Sequence, residues 1–523
     1  MPEQTIEPVV GFWRIAEQDR ERLAIVDPLG HEIRYGELYD QVNQISNAFR
    51  ARGLVQGDHI SIVLPNEPMH LALCLAAMQS GLYITTINWH LVGPEIAYIL
   101  SDSESKLFVA HESIGHEAIR AADEVGLPAD QRFAIGEIQG FSPLEEFMQG
   151  QPCSRPENPR AGSLMFYTSG TTGRPKGVRR PLGDVSPDDA AAAIMGLFAL
   201  FDIHPHDGHV HITPAPLYHS APNSWAITSL HCGHPVVLMD HFTPLGMMER
   251  IARYRVSHTH MVPTMFHRLL ALPEDVRASY DVSSLRTMIH AAAPCPVATK
   301  WKMLDWWGDV IWEYYSATEV GGTIISPSDW RKHPGTVGRP FPGSEVKVLD
   351  DDGNELATGQ SGTIYMRMEG VSFEYYKDRE KTEKASRKGF VTVGDIGYLD
   401  ADGYLFLNDR KNDMIIVAGV NLYPAEIESA LQQHDKIVDV AVFGIPNADT
   451  GEEIKAVIEL SPGTSADDRT RAEIMEFCKG QLAKQRWPRS IDFTTEMPRD
   501  PSGKLYKRKL RDPYWEEHDS SIV

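Results

Sequence analysis

The sequence predicts an α/β fold in two domains: a large N-terminal domain of α/β sheet subdomains with a β-rich subdomain, and a small α+β C-terminal domain. The chain has 523 residues, which exceeds the usual size of one domain. Helix-like and strand-like segments alternate through its first half, a pattern typical of βαβ units and parallel sheets. From Thr336 onward, short strands and glycine-rich turns replace this alternation.

The alternation is clearest near the N-terminus. Apolar residues recur at helical spacing from Leu38 to Phe49, and Gly53 supplies the stop signal. Four buried segments follow, which we predict to be a strand, a helix and two strands, at 60–64, 69–78, 82–87 and 107–110. In the β-rich part, Gly394-Asp395 and Asp402-Gly403 are typical of hairpin turns.

A charged stretch with little helical character, residues 409–413, indicates the domain boundary. We therefore place the N-terminal domain at 1–410 and the C-terminal domain at 411–523. The smaller domain is predicted to contain a helix, two paired strands and an amphipathic helix, at 425–431, 438–443, 454–460 and 474–482.

Composition narrows the class of protein. The net charge of −22 argues against nucleic acid as the main partner, because phosphate binding needs a basic surface. The five cysteines are scattered without CxxC spacing, which indicates reduced, mostly buried thiols. The sequence shows neither a signal peptide nor a transmembrane segment, so we expect a cytoplasmic protein.

The most informative segment is the glycine-rich loop, YTSGTTGRPKGV, at residues 167–178. Seven of its twelve residues are Ser, Thr or Gly, and it follows a predicted strand end. Glycines let the backbone approach an anion, while N–H groups and hydroxyls donate to phosphate oxygens. Lys176 adds a positive charge. Gly177 follows this lysine where the P-loop of NTPases has Ser or Thr, so the loop is of another kind.

Four histidines, His204, His206, His209 and His211, lie close together in the chain. Alternating histidines can ligate a metal ion, but no carboxylate or cysteine cluster completes a ligand set here. The pattern favours a polar loop that enters a strand. Two later segments, 287–294 and 313–319, each indicate a strand end followed by small residues, and strand ends are where open α/β sheets bind ligands.

Six motifs in order resemble the adenylate-forming superfamily of acyl- and aryl-CoA synthetases, luciferases and peptide-synthetase adenylation domains. They are YTSGTTGRPKGV (167–178), PLYHS (216–220), YYSATE (314–319), GD (394–395), DRKNDMIIVAGVNLYPAEIE (409–428) and PSGK (501–504). The first motif is highly specific, and the ordered set spans nearly the whole chain. The resemblance implies an AMP-forming carboxylic acid–CoA ligase that uses ATP, Mg²⁺ and CoA.

The resemblance also assigns a nucleotide site. The residues that it implies for ATP are Thr168, Ser169, Gly170, Thr171, Thr172, Gly173, Lys176, Ala292, Ala293, Tyr315, Asp395 and Arg410. The glycine-rich loop would hold the β- and γ-phosphates, Tyr315 would stack on adenine, and Asp395 would accept from the ribose hydroxyls. Thr318 resembles a phosphate ligand, and Glu319 resembles the carboxylate that holds Mg²⁺.

Two steps of chemistry are implied. Lys504 corresponds to the mobile lysine that contacts the substrate carboxylate and the α-phosphate during adenylation. The C-terminal domain of the family then rotates about a hinge, here Asn412, and removes that lysine. Gly419 would let the thiol arm of CoA pass closely. The family usually has Asp or Lys at the hinge, so Asn412 leaves the charge-based control of rotation open.

The acid itself stays open. Pocket candidates mix aromatic and small residues: His219, Asn223, Trp225, His290, Tyr314, Gly321 and Gly322. Ser316 replaces the glycine usual in the family, and the bulky Tyr314 replaces a small residue, which narrows or redirects the pocket. Fatty, aromatic and alicyclic acids all remain candidates, because one methylene changes binding by only about 1–3 kcal/mol.

Alternatives to the CoA ligase are an acyl-AMP ligase that loads a carrier protein, a luciferase-like oxygenase, and a non-catalytic acyl-nucleotide binding protein. Retention of Thr318, Glu319, Asp395 and Lys504 argues against the last. The expected partner is a small-molecule carboxylic acid, and the sequence leaves a homodimer open.

Overall fold

The computed structural model describes residues 9–168, 175–317, 320–410, 413–417, 420–447, 449–499 and 505–516. The chain divides into two compact units. The first unit comprises 1–261, 271–289 and 372–384, and the second unit comprises 262–270, 290–371 and 385–523. In the described residues, no helix is long and apolar enough to cross a membrane.

The helices are α1 Phe12–Gln18, α2 Tyr35–Ala51, α3 Pro68–Gln79, α4 Gly93–Asp102, α5 Gly115–Glu124, α6 Leu144–Met148, α7 Pro187–Ala199, α8 Ser220–His231, α9 Pro244–Tyr254, α10 Pro263–Leu270, α11 Glu274–Ala278, α12 Val297–Trp307, α13 Pro327–Trp330, α14 Arg379–Ala385, α15 Pro424–Leu431, α16 Asp468–Gln481 and α17 Lys507–Arg511.

The strands are β1 Leu23–Val26, β2 Glu32–Arg34, β3 His59–Val63, β4 Tyr83–Thr86, β5 Leu107–His111, β6 Arg132–Ile135, β7 Ser142–Pro143, β8 Ser163–Leu164, β9 Phe166–Thr168, β10 Lys176–Arg179, β11 His211–Thr213, β12 Val236–Leu238, β13 His258–Met261, β14 Thr287–His290, β15 Ile311–Ala317, β16 Val320–Ile325, β17 Arg339–Pro340, β18 Ser344–Leu349, β19 Gly362–Met368, β20 Glu374–Tyr375, β21 Ser386–Arg387, β22 Phe390–Val391, β23 Asp395–Leu399, β24 Leu405–Arg410, β25 Ile415–Val417, β26 Val420–Leu422, β27 Ile437–Asn447, β28 Gly451–Leu460 and β29 Ser490–Thr494.

The α/β alternation predicted for the first half of the chain is confirmed in the first unit. One sheet has the order β7-β6-β5-β3-β4-β8, and all its pairings are parallel. In a second sheet, β13, β11, β12 and β1 are parallel neighbours, and β2 closes the edge antiparallel to β1. The apolar face of α2 is fully buried, and Gly53 follows the helix with a φ of 76°. Only a residue without a Cβ adopts that angle without strain.

The second unit contains the predicted β-rich part and the small α+β module. Strands β15, β16 and β17 are antiparallel, and so are the pairs among β18, β19, β22, β23 and β24. In the C-terminal part, β27 and β28 pair antiparallel as predicted, and apolar residues of α15 and α16 pack into the same core as these strands. One turn prediction is wrong in detail: Gly394 takes the turn with a φ of 87°, but Asp395 already begins β23.

The four neighbouring histidines form a loop that enters β11, as the pattern favoured. His209 and His211 are buried, and they join His234 and His258 in a group that we call the histidine cluster. The ring centroids of His211 and His258 are 4.7 Å apart, and those of His209 and His258 are 5.1 Å apart. Asp207 contacts the Nε2 atoms of His209 and His234 at 3.3 and 2.9 Å.

The histidine cluster makes stability depend on pH. Burial lowers the pKa of His211 to about 3 and that of His209 to about 4, whereas a histidine in the unfolded chain has a pKa of about 6.5. Below pH 6.5 the unfolded state therefore binds more protons than the folded state. The contribution of these two histidines to stability is complete above pH 6.5. It is lost as the pH falls toward their pKa values in the folded state.

We predict that the free energy of unfolding falls steeply between pH 7 and pH 5, with about 2 kcal/mol of the loss due to His211 alone. Urea denaturation of wild type and His211→Asn at both values checks this, because the variant should lose less stability on acidification. His116→Asn, at a side chain that is 81% exposed, is the control and should behave as wild type. An equal acid loss in His211→Asn and wild type would contradict the prediction.

Candidate functional site

The ends of the glycine-rich loop form a β-hairpin in the first unit. Strand β9 is antiparallel to β10, and Thr168 lies opposite Lys176 in the register. The sequence between these two residues is rich in glycine, which tolerates the backbone angles of tight turns. Residues 169–174, which include the predicted phosphate ligands Ser169, Gly170, Thr171, Thr172 and Gly173, lie outside the described residues.

Lys176 begins β10 and is held by an acidic partner. Its Nζ lies 3.1 Å from Oδ2 of Asp378, and both side chains are partly exposed. This hydrogen bond raises the pKa of Lys176, with burial opposing it and the charge of Asp378 adding to it. The lysine therefore carries a full positive charge at neutral pH. Asp378 was not predicted from sequence, where it is one acidic residue in a charged stretch.

Tyrosine hydrogen bonds anchor the base of this hairpin to α4. Tyr98 donates to the Pro175 carbonyl at 2.9 Å, and Tyr167 donates to the Asp102 carboxylate at 2.7 Å. Strand β20 pairs with the outer edge of β10, so β10 is held on both sides. The two entry points of the loop are thus fixed by side chains and by backbone pairing.

Three predicted nucleotide residues come together in the second unit. The hydroxyl of Tyr315 donates to Oδ2 of Asp395 at 2.6 Å, although 80 residues separate them in sequence. Asp395 lies opposite Arg410 in the antiparallel register of β23 and β24. This hydrogen bond brings together an aromatic ring, the kind of group that stacks on an adenine base, and a carboxylate, the kind of group that accepts hydrogen bonds from ribose hydroxyls.

Gly322 and Gly321 are required by close packing around β15. A Cβ on Gly322 would lie 1.9 Å from the carbonyl oxygen of Tyr315, so no side chain fits at that position. A Cβ on Gly321 would lie 2.5 Å from Oγ of Ser344 and would also meet Met368. Both glycines therefore let β16 lie close to its neighbours, whatever else they contribute.

The turn after β14 carries Ala292 and Ala293. Ala292 has a φ of 69°, in the left-handed region that costs a non-glycine residue about 1 kcal/mol or more. Ala292 is exposed and Ala293 is half-buried. Such strain is concentrated at functional positions, which makes this turn a candidate binding element.

The pocket candidates of the first unit lie on or before α8. His219 precedes the helix, with its ring 4.4 Å from that of Tyr218. Trp225 is buried, and its ring stacks on Phe198 at 4.5 Å between centroids. Asn223 is also buried, and its amide donates to the Leu217 carbonyl at 2.9 Å, an internal role that the sequence did not indicate.

In the second unit, Tyr314 is half-buried in β15 and lies opposite Ile324 of β16. His290 is fully buried at the end of β14, beside Glu313 and Lys300. Sequence reasoning missed Lys300 and Glu313, because neither residue carries a motif. The remaining predicted residues, Thr318, Glu319, Asn412, Gly419 and Lys504, lie outside the described residues.

Comparison with known proteins gives the family. The AMP-binding enzyme model matches residues 12–376, and the model of the AMP-binding enzyme C-terminal domain matches residues 426–504. The chain is 30% identical over 485 residues to the long-chain-fatty-acid–CoA ligase FadD13 of Mycobacterium tuberculosis H37Rv, covering 92% of this chain and 93% of the relative.

Two further proteins are similar over nearly their whole lengths. The fatty acid–[acyl-carrier-protein] ligase ScoC of Streptomyces coeruleorubidus is 29% identical over 503 residues, covering 93% of this chain and 92% of the relative. The structure of ATP-bound MatB from Rhodopseudomonas palustris superposes with a TM-score of 0.81 and 29% identity, covering 98% of this chain and all of that one. The chain therefore belongs to the AMP-binding enzyme family, and it is an adenylate-forming acid ligase.

Proposed function

We propose that this protein is an AMP-forming carboxylic acid–CoA ligase. The observation that carries the proposal is the ordered set of six motifs. Two of these motifs meet in the structure, because Tyr315 of YYSATE donates a hydrogen bond to Asp395 of GD. In the first step, a carboxylate oxygen of the acid attacks the α-phosphorus of ATP, and pyrophosphate leaves. In the second step, the thiol of CoA attacks the acyl carbon, and AMP leaves.

The nucleotide is held by groups that offset its charge. Lys176, whose pKa is raised by Asp378, binds the β- and γ-phosphates together with the glycine-rich loop. Tyr315 stacks on adenine, and its bond to Asp395 orients the carboxylate that accepts from the ribose hydroxyls. Arg410 lies opposite Asp395, and the Ala292–Ala293 turn lines the same base.

The reacting end is assigned to residues outside the described ranges. Thr318 would contact phosphate, and Glu319 would hold Mg²⁺, which prefers carboxylate oxygens and would reduce the charge of the phosphates. Lys504 stabilises the charge that develops between the carboxylate and the α-phosphate. We propose residues 1–410 as the adenylation domain and 411–523 as a mobile lid that turns at Asn412 and presents Gly419 to CoA.

Two further questions are which acid the enzyme activates and which thiol accepts the acyl group. His219, Trp225, His290, Tyr314 and Gly321 are proposed for the acyl side, which leaves fatty, aromatic and alicyclic acids as candidates. The similarity to FadD13 supports a CoA ligase, and the similarity to ScoC supports a carrier protein as the second candidate acceptor.

We predict acid-dependent exchange of labelled pyrophosphate into ATP, since adenylation is reversible before the thiol arrives. A panel of fatty, aromatic and alicyclic acids should contain at least one acid that supports exchange. Adding CoA with that acid should yield a thioester, whereas a carrier-protein ligase would acylate only the phosphopantetheine of a carrier. Folded protein that supports no exchange with any acid would overturn the proposed function.

We predict that Lys504→Ala slows adenylation by about 10²–10³-fold, because one charge-assisted contact to the reacting groups is lost. Thioester formation from chemically supplied acyl-adenylate should stay close to the wild-type rate, since the lid has removed this lysine in that step. Lys509→Ala, an exposed lysine of α17, is the matched control and should leave both steps unchanged. Equal loss of the two steps in Lys504→Ala would refute the role.

A further inference from the structure

A buried charged group in the second unit includes two residues that the proposed chemistry does not use. We call His290, Lys300 and Glu313 the Lys300 cluster. Nζ of Lys300 lies 2.5 Å from Oε2 of Glu313, and Nε2 of His290 lies 3.3 Å from the same oxygen. The side chains of His290 and Lys300 are 0% exposed and that of Glu313 is 8% exposed.

The Lys300 cluster contains one cation and one anion at neutral pH. Burial alone would raise the pKa of Glu313, but the charge of Lys300 and the hydrogen bonds from Lys300 and His290 outweigh it and lower that pKa. Burial lowers the pKa of His290, so this ring is neutral. Two aromatic rings lie beside the cluster: the ring centroid of Trp330 lies 4.6 Å from Nζ of Lys300, and that of Phe266 lies 5.3 Å from the ring of His290.

Such a pair is not explained by stability alone. Removing two charges from water costs several kcal/mol per ion, and well-packed apolar residues of similar volume often do as well or better. A buried pair does, however, penalise every arrangement that separates its members, because an unpaired buried charge is far more costly. The pair therefore favours the one geometry that keeps Lys300 and Glu313 together.

The cluster joins three elements, two of which carry proposed nucleotide residues. His290 is the last residue of β14 and lies two positions before Ala292. Glu313 lies two positions before Tyr315 on β15, so both side chains are on the same face of that strand. A slip of β15 by one residue would turn Tyr315 to the other face and separate Glu313 from Lys300 of α12.

We propose that His290, Lys300 and Glu313 are positioning residues of the ATP site, which fix β15 and the end of β14 so that Tyr315 and the Ala292–Ala293 turn are preorganised for the adenine base. The proposal rests on the proposed function for the identity of the ligand. It assigns Lys300 and Glu313 no contact with ATP or with the acid, whereas His290 is also proposed for the acyl side.

The test replaces the ion pair by apolar residues of similar size, in Lys300→Met combined with Glu313→Leu. We expect a thermal midpoint close to wild type, ATP binding at least tenfold weaker by titration calorimetry, a raised KM for ATP and an unchanged KM for the acid. Lys347→Met with Glu355→Leu, an exposed ion pair of the same unit, is the matched control and should keep ATP affinity. A folded double variant that binds ATP within twofold of wild type would overturn the proposal.

Two further readouts keep the test decisive. His290→Gln retains the ion pair, and we expect ATP binding about threefold to tenfold weaker in a protein that folds normally; no change in that variant would count against the cluster. Hydrogen exchange of the 311–317 amides needs no ligand, and it should accelerate in the ion-pair variant relative to the Lys347 and Glu355 control. Unchanged exchange there would overturn the positioning role, whereas absence of ATP binding in wild type would overturn only the proposed function.

Discussion

The candidate site of the second unit depends on one buried ion pair, between Lys300 and Glu313. Because β15 cannot shift without separating these charges, the strand has one favoured register, and Tyr315 has one position. Gly322 then lets β16 approach the carbonyl of Tyr315, and Asp395 accepts the tyrosine hydroxyl. The hydrogen bond between Tyr315 and Asp395, which are 80 residues apart in sequence, is thereby held in place by a buried ion pair.

Under the proposed function, the first unit must bind several negative charges in a chain with a net charge of −22. Lys176 supplies a local cation at the base of the glycine-rich loop, and its partner Asp378 raises the pKa of this lysine. Tyrosines fix the two strands of the hairpin without adding charge. The loop can then present backbone N–H groups to an anion from a rigid base.

Local periodicity and turn chemistry predicted the α/β alternation, the β-rich part and the C-terminal strands, because these features depend on neighbouring residues. The motif resemblance predicted Tyr315, Asp395 and Arg410 as a group. Lys300 and Glu313 could not be predicted, since a buried pair looks like two surface charges until the topology brings them together. The same holds for the histidine cluster, where His234 and His258 come from other strands and loops, and for Asp378 beside Lys176.

The central claim is that the acid attacks the α-phosphorus of ATP. An acid that supports exchange, labelled with heavy oxygen in its carboxylate, tests this claim directly when the complete reaction is run to thioester and the products are analysed by mass spectrometry. We predict one heavy oxygen in AMP, because the bridging oxygen of the acyl-adenylate leaves with the nucleotide. Heavy oxygen in inorganic phosphate, with ADP as the nucleotide product, would contradict it.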